Sequence, residues 1–306
     1  MTVELRPFGV LCNIQCTYCY QNPQRDAGNV SKSYDLELMK SAIKREGGPF
    51  TLFGGEPLLL PERDLEELWS WGFQQFGKNS VQTNGTMIRD YHIRMFKQHR
   101  VQVGISIDGP RELNDLRWAG SLDATRMSTA KTESAIKLLC REGIPPSLIV
   151  TLHRINALPT KFLAMDEWFR ELDSIGIRFV RLHILESETP AIRQKYALST
   201  AENTEAFLHF CQLESSFNDL KFDVFADMER LLRGDGGKVS CIWGSCDPYT
   251  TAAVRGVEGH GQRSNCGRTN KDGISFVKEE SAGFERYRRF TTQISNVVDV
   301  RVVDSF

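Results

Sequence analysis

Three cysteines near the start of the chain, Cys12, Cys16 and Cys19, are spaced C-x3-C-x2-C. Thiols this close together on one stretch read as metal ligands. Iron–sulfur clusters usually take four cysteine ligands. A loop with three leaves one iron of a four-iron cluster open to a small-molecule ligand. An open coordination position marks a catalytic metal site, by analogy with zinc, whose structural sites are closed. A zinc knuckle would want a histidine or a fourth cysteine close by, and none lies there. A disulfide would want an oxidising compartment. The opening Met1-Thr-Val-Glu-Leu-Arg has neither the charged start nor the apolar run of a secretory signal.

Composition narrows the function classes. The 306 residues suffice for one large domain and a small one. Lys and Arg number 38 against 39 Asp and Glu, a net charge of −1. That balance gives no electrostatic footprint for nucleic acid. No apolar run approaches the roughly 18 residues needed to span a bilayer, so the chain reads as cytoplasmic, with neither nucleic acid nor membrane as partner. The 8 cysteines read as metal ligands plus a few buried thiols. Cys140 and Cys211 sit among apolar helical residues and read as buried structural thiols.

The elements that must position the cysteine loop follow from periodicity. Val3 to Val10 reads as a first strand, and the loop follows it. A helix carries Leu36, Met39 and Ile43 at helical spacing, with Ser33 as its cap. Further strands are expected at Phe50, Ser80, Val101, Ser147 and Phe179, each followed by a helical pattern. Six strand–helix units in strict alternation predict a parallel sheet with right-handed crossovers. In such folds the site lies at the C-terminal ends of the strands. Gly54-Gly55-Glu56-Pro57, Thr83-Asn84-Gly85 and Ser106-Ile-Asp108-Gly109-Pro110 fall at those ends, on the same rim as the cysteines.

Together these residues resemble the radical S-adenosylmethionine superfamily over roughly residues 1–215. The resemblance implies a partial (β/α)6 TIM barrel, a [4Fe-4S] cluster with an open iron held by Cys12, Cys16 and Cys19, and S-adenosyl-L-methionine chelating that iron. It assigns Gly54, Gly55 and Glu56 to the cofactor's amino group, where glycines let backbone approach closely and a carboxylate suits an ammonium. It places Tyr18 on the adenine side and Ser106 at polar contacts, with Asn84 and Asp108 facing the same rim. Arg117 lies where relatives show His-Asp-x-x-Arg; here Asn114 stands for the histidine and the spacing is one shorter. Arg117 is carried as a candidate for the cofactor carboxylate, beside the reading of a solvated loop arginine.

Cys241, Cys246 and Cys266 lie beyond the barrel among Gly, Asp, Pro and Asn. Gly261-Gln-Arg-Ser-Asn-Cys266 is G-x4-C, and a short hairpin is expected from Thr250 to about Val257. This resembles the opening half of a SPASM or twitch extension, which holds auxiliary iron–sulfur clusters. The later cysteine-rich stretch of that extension is missing, since no cysteine follows Cys266. The resemblance implies residues 1–215 as barrel, 216–240 as a connecting segment and 241–306 as an incomplete auxiliary-cluster region. A zinc site or free thiols remain the alternatives for these three cysteines.

Relatives with such extensions mostly modify peptides. The resemblance implies reductive cleavage of S-adenosylmethionine to a 5′-deoxyadenosyl radical, which takes hydrogen from a peptide. The first expectation is maturation of a ribosomally made peptide by cross-linking, cyclisation or epimerisation. The alternatives are a sulfatase-maturating enzyme that forms formylglycine, a dehydrogenase of a small molecule, and a non-enzymatic electron carrier. An electron carrier would not need the Gly-Gly-Glu-Pro loop or an open iron. A flavodoxin- or ferredoxin-like electron donor is the expected partner. The first strand starts at about Val3, so leader recognition falls to a separate leader-binding protein, to an edge strand, or is not needed. Asp247 and Tyr249 are the nearest candidates for a general base, beside a plain turn reading.

Overall fold

The computed structural model describes residues 2–22, 25, 33–185, 187, 189–236, 239 and 254–264. Short strands with period-two burial alternate with helices that bury one stripe. The order is β1 (Thr2–Arg6), α1 (Leu36–Glu46), β2 (Phe50–Leu52), α2 (Glu62–Phe76), β3 (Asn79–Thr83) and α3 (Asp90–Gln98). Then come β4 (Val101–Ser106), α4 (Leu122–Arg141), β5 (Ser147–Leu152), α5 (Pro159–Ser174) and β6 (Phe179–Ile184). The remainder is α6 (Pro190–Tyr196), α7 (Thr200–Glu214), β7 (Lys221–Phe222), α8 (Asp223–Leu232), β8 (Val254–Glu258) and β9 (Arg263–Ser264).

The strands form one sheet in the order β7-β6-β5-β4-β3-β2-β1-β8-β9, parallel except for the β8–β9 pair. The first six neighbours follow chain order, which is the expected radical S-adenosylmethionine barrel core. β3 shows how the sequence makes it: Asn79, Val81 and Thr83 are buried while Ser80 and Gln82 are half-buried. The helices cover the outer face, and Trp69 of α2 meets Phe96 of α3 edge-on at 5.3 Å in that layer. No described helix is long and apolar enough to cross a membrane.

Three local expectations are corrected. Asp35, not Ser33, caps α1: its Oδ1 accepts from the backbone N–H groups of Glu37 and Leu38 at 2.9 Å each. A carboxylate one residue before the helix reaches the free donors, and Ser33 lies too far upstream. The described residues after 216 include β7 and α8. β7 extends the sheet beyond β6, and its Phe222 ring packs on Phe169 of α5 at 4.9 Å. The hairpin expected from Thr250 is instead β8 with β9, turning through residues 259–262. β8 lies parallel to β1, with Val3 opposite Arg255 and Leu5 opposite Val257. Cys211 is exposed rather than buried. The buried stripe of α7 runs through Ala206, Phe210 and Leu213, and Cys211 sits one step off it. Cys140 is half-buried against the core.

Candidate active site

The cysteine loop leaves β1 at the C-terminal rim and is held on both flanks. On one side, Gln15 N donates to Trp118 O and Thr17 N to Leu116 O, both at 2.7 Å. The segment after the short 3-10 turn Arg111–Asn114 therefore runs beside the loop like an added strand. On the other side, Gly55 N donates to Gly9 O at 3.0 Å and Glu56 N to Leu11 O at 2.8 Å. A Cβ on Gly55 would stand 2.0 Å from Leu11 O, and one on Gly54 2.6 Å from Gly9 O, at a φ of +125°. Only glycine fits both places. The close approach these glycines permit is to the backbone that leads into Cys12.

Glu56 is 1 % exposed. Its Oε1 accepts from Leu58 N at 3.0 Å and from Thr83 Oγ1 at 2.7 Å, and its Oε2 from Asn84 N at 2.8 Å. The carboxylate thus ties the end of β2 to the end of β3. Burial raises its pKa, and the three donors act against that rise. Asn84 carries the connection to the cysteines: its Nδ2 donates to Asn13 Oδ1 at 2.7 Å and lies 3.9 Å from Cys12 Sγ. Thr86 closes the ring, donating to Asn84 Oδ1 at 2.7 Å and accepting from Asn13 Nδ2 at 2.9 Å.

A second cluster gathers polar and charged groups around the buried Asp108. The Tyr18 hydroxyl donates to Asp108 Oδ2 in a short hydrogen bond and accepts from Arg117 Nη1 at 3.2 Å. Arg117 Nη1 stands 4.0 Å from Asp108 Oδ1, and His153 Nε2 lies 3.7 Å from Asp108 Oδ2. Thr151 N adds a bond to Asp108 Oδ1 at 3.0 Å. Burial pushes the Asp108 carboxyl up, but His153, Arg117 and Tyr18 hold it below its usual range. Arg117 is a half-buried partner of this cluster rather than a solvated loop side chain. Asn114 accepts from Asp108 N at 2.8 Å and donates to Thr129 Oγ1 at 2.8 Å. It fixes the backbone that presents Asp108.

Burial pushes the Cys12 thiol up and the Cys16 thiol up to about 12, with Arg117 pulling Cys16 the other way. Such thiols ionise on binding a metal, which supplies the missing positive charge. Cys12, Cys16 and Cys19 are all free of disulfides. Among the described residues no group of three or more His, Cys, Asp or Glu side chains is gathered to hold a single metal ion. Three unpaired thiols on one loop, with the Arg117 guanidinium acting on Cys16, fit an anionic iron–sulfur group by donor type and charge. Ser106 Oγ accepts from Gln82 Nε2 at 2.8 Å.

Gln82, His153 and Asn156 were missed from sequence. Gln82 is the last half-buried position of β3. His153 directly follows β5, and Asn156 Nδ2 donates to Asp108 O at 2.7 Å. The signal available was position: polar residues at strand ends on the rim that carries the cysteines. Cys241, Cys246, Cys266, Asp247 and Tyr249 lie outside the described residues.

Comparison with known proteins agrees with this geometry. A family model described as the radical SAM superfamily matches residues 7–172. A serine-type anaerobic sulfatase-maturating enzyme of Klebsiella aerogenes is 31% identical over 220 residues, covering 67% of this chain and 52% of that protein. A cysteine-type anaerobic sulfatase-maturating enzyme of Clostridium perfringens is 33% identical over 195 residues, covering 59% and 51%. The chain spans about half the length of these curated relatives. Native anSMEcpe with bound AdoMet and Cp18Cys peptide superposes with a TM-score of 0.71 at 21% identity, covering 94% of this chain and 81% of that one. At that identity the likeness shows the fold. The family model takes in the three cysteines and the ends of β2 to β5, more than half of the sequence, and the chain belongs to the radical SAM superfamily.

Proposed function

We propose that this enzyme acts on a residue held within a peptide, removing a hydrogen atom from it. The observation that carries the reading is the sequence similarity to both serine-type and cysteine-type sulfatase-maturating enzymes. The rim supports it: the cysteine loop, Asn84, Ser106, Asp108 and Arg117 lie at the C-terminal ends of one sheet. When bound, the cluster held by Cys12, Cys16 and Cys19 and S-adenosylmethionine supply the hydrogen-abstracting radical. The protein's own part is positional. Asn13 and Asn84 hold the loop at Cys12, and Asp108 with Arg117 holds it at Tyr18. Ser106, Gln82 and Arg117 offer polar contacts to the S-adenosylmethionine carboxylate and ribose. Cys241, Cys246 and Cys266 are proposed ligands of an auxiliary cluster.

Oxidation of a Ser or Cys side chain to formylglycine is the reading these relatives favour. Maturation of a ribosomally made peptide uses the same hydrogen abstraction and is the second reading. The test is anaerobic reconstitution with dithionite and S-adenosylmethionine, with and without peptides carrying a sulfatase-type Ser or Cys. The expected result is 5′-deoxyadenosine in step with loss of hydrogen from Ser, or of sulfur from Cys, by mass spectrometry. Cleavage of S-adenosylmethionine with all such peptides unchanged would exclude the formylglycine reading. Undiminished cleavage after replacing Cys12, Cys16 and Cys19 by Ala would exclude radical chemistry at this loop.

A further inference from the structure

A groove on the outer face, between the start of α3 and the length of α4, has a charge the rest of the chain does not predict. Its α4 wall carries Met127, Lys131, Ser134, Leu138 and Arg141, whose three- and four-residue steps place them along one side of the helix. Its upper wall carries Thr86 and Arg89, from the connection between β3 and α3. Arg89, Lys131 and Arg141 are all exposed, and no carboxylate lines the groove. None of the three forms an ion pair among the described residues. The chain as a whole carries a net charge of −1, so this is a local concentration of cations, with Glu142, beside Arg141, outside the lining. Met127, 58 % exposed, adds an apolar contact where α4 enters the groove.

The groove opens against the cysteine loop. Thr86, on its wall, accepts a hydrogen bond from Asn13 Nδ2 at 2.9 Å. Asn13 is exposed and is the direct neighbour of Cys12. A protein seated in the groove therefore approaches the cluster ligands from outside, without entering the barrel or displacing a substrate.

We propose that this groove docks an acidic one-electron carrier protein. The inference rests on the radical reading, in which each S-adenosylmethionine cleavage starts with one electron delivered to the cluster; the substrate radical releases one electron as the formyl group forms, so the carrier primes the cluster and can take the released electron back. A reduced flavin or iron–sulfur centre in the carrier is oxidised by one electron, and the cluster is reduced by one. Cationic walls meeting an anionic surface raise the encounter rate and orient the carrier, and salt weakens both effects.

The test uses the reconstituted full chain with two reductants: dithionite, and an acidic flavodoxin in its hydroquinone form. The variants are Arg89→Glu, Lys131→Glu and Arg141→Glu combined, and Arg170→Glu with Arg178→Glu, two exposed cations outside the groove. Flavodoxin affinity, measured by calorimetry at low and high salt, is expected to fall about tenfold or more in the groove variant. It is expected to fall with salt in the unaltered protein and to hold in the Arg170/Arg178 variant. Flavodoxin-driven formation of 5′-deoxyadenosine is expected to fall in parallel, with the dithionite-driven rate unchanged. Equal loss in both variants, salt-independent affinity, no flavodoxin binding, or equally tight binding of a single-stranded oligonucleotide would each overturn the proposal. Absence of product with either reductant would overturn the radical reading and this one with it.

Discussion

Arg6, at the end of the first strand, and Glu258, 252 positions later, form a half-buried ion pair. Arg6 is 2 % exposed, and its Nε and Nη2 donate to Glu258 Oε1 at 2.9 and 2.6 Å. The pair closes the β1–β8 seam at the rim where the cysteine loop departs. A second clamp lies at the other end of the seam, where Arg255 Nη1 donates to Glu46 Oε2 at 2.9 Å. Glu258→Ala leaves a buried guanidinium without its carboxylate. Such a loss costs about 3 kcal/mol, the low end for broken buried pairs because Glu258 is partly exposed. Thermal unfolding should show that loss, and Arg6→Leu with Glu258→Leu together should show much less. Equal destabilisation in the two proteins would mean that the side-chain bulk, not the charge pairing, holds the seam.

Glu56 provides a second prediction, because its oxygens are already engaged by Leu58, Thr83 and Asn84. Glu56→Gln sets an amide NH2 against donors, leaving at least one buried group unsatisfied. The expected cost is about 1–3 kcal/mol in stability. Iron content after reconstitution should fall with it, because Asn84 supports Asn13 beside Cys12. A carboxylate that served only to bind the cofactor's ammonium would behave differently. S-adenosylmethionine affinity would then fall while stability and iron content stayed unchanged.

Much of this site was legible in the sequence because rim residues follow strands, and strands are read from period-two burial. The three cysteines, Glu56, Asn84, Ser106 and Asp108 all reach the rim for that reason. What was not legible was which groups they face. Gly54 and Gly55 announce a close approach, but the sequence does not say to what, and the answer is the backbone of residues 9–11. Arg117 follows a 3-10 turn without periodicity, so its burial against Tyr18 and Asp108 depends on a contact nearly a hundred residues away. β7 was missed because two residues carry no pattern. β8 overlaps the hairpin expected from Thr250, but its parallel partner, β1, lies at the other end of the chain.

His92 predicts a pH dependence of stability. It is buried, its Nδ1 accepts from Arg89 N at 3.1 Å, and its ring packs beside Tyr91 and Phe96. Burial, reinforced by the Arg89 charge, lowers its pKa from 6.5 to about 4. Between those values the unfolded chain takes up a proton that the folded chain refuses. Stability therefore falls as pH drops through that window and is fully present above it. The expected contribution is about 2–3 kcal/mol. His92→Asn keeps an acceptor near the Nδ1 position and removes the titration. The slope of unfolding free energy with pH between 6.5 and 4 should flatten in this variant, whatever its absolute stability. An unaltered slope would place the titration elsewhere.

Asp108 is the group on which Tyr18, Arg117 and Thr151 converge, and the last prediction concerns that convergence. Asp108→Asn preserves shape and the acceptor toward Thr151 N. It removes the charge that faces Arg117, whose side chain is 12% exposed. An uncompensated cation in that setting costs about 3–5 kcal/mol. Arg117→Met alone leaves Asp108 with His153 and Tyr18 and should cost less. In the double variant the losses should be far from additive, because the two groups share one network. Tyr18 lies between Cys16 and Cys19, so the same change should loosen the cysteine loop. Iron bound after reconstitution is expected to drop in Asp108→Asn and to recover in part in the double variant, where no charge is left unpaired. Additive losses in stability, with iron content untouched, would show that Asp108 and Arg117 act separately and that the loop is held by its backbone bonds to Leu116 and Trp118 alone.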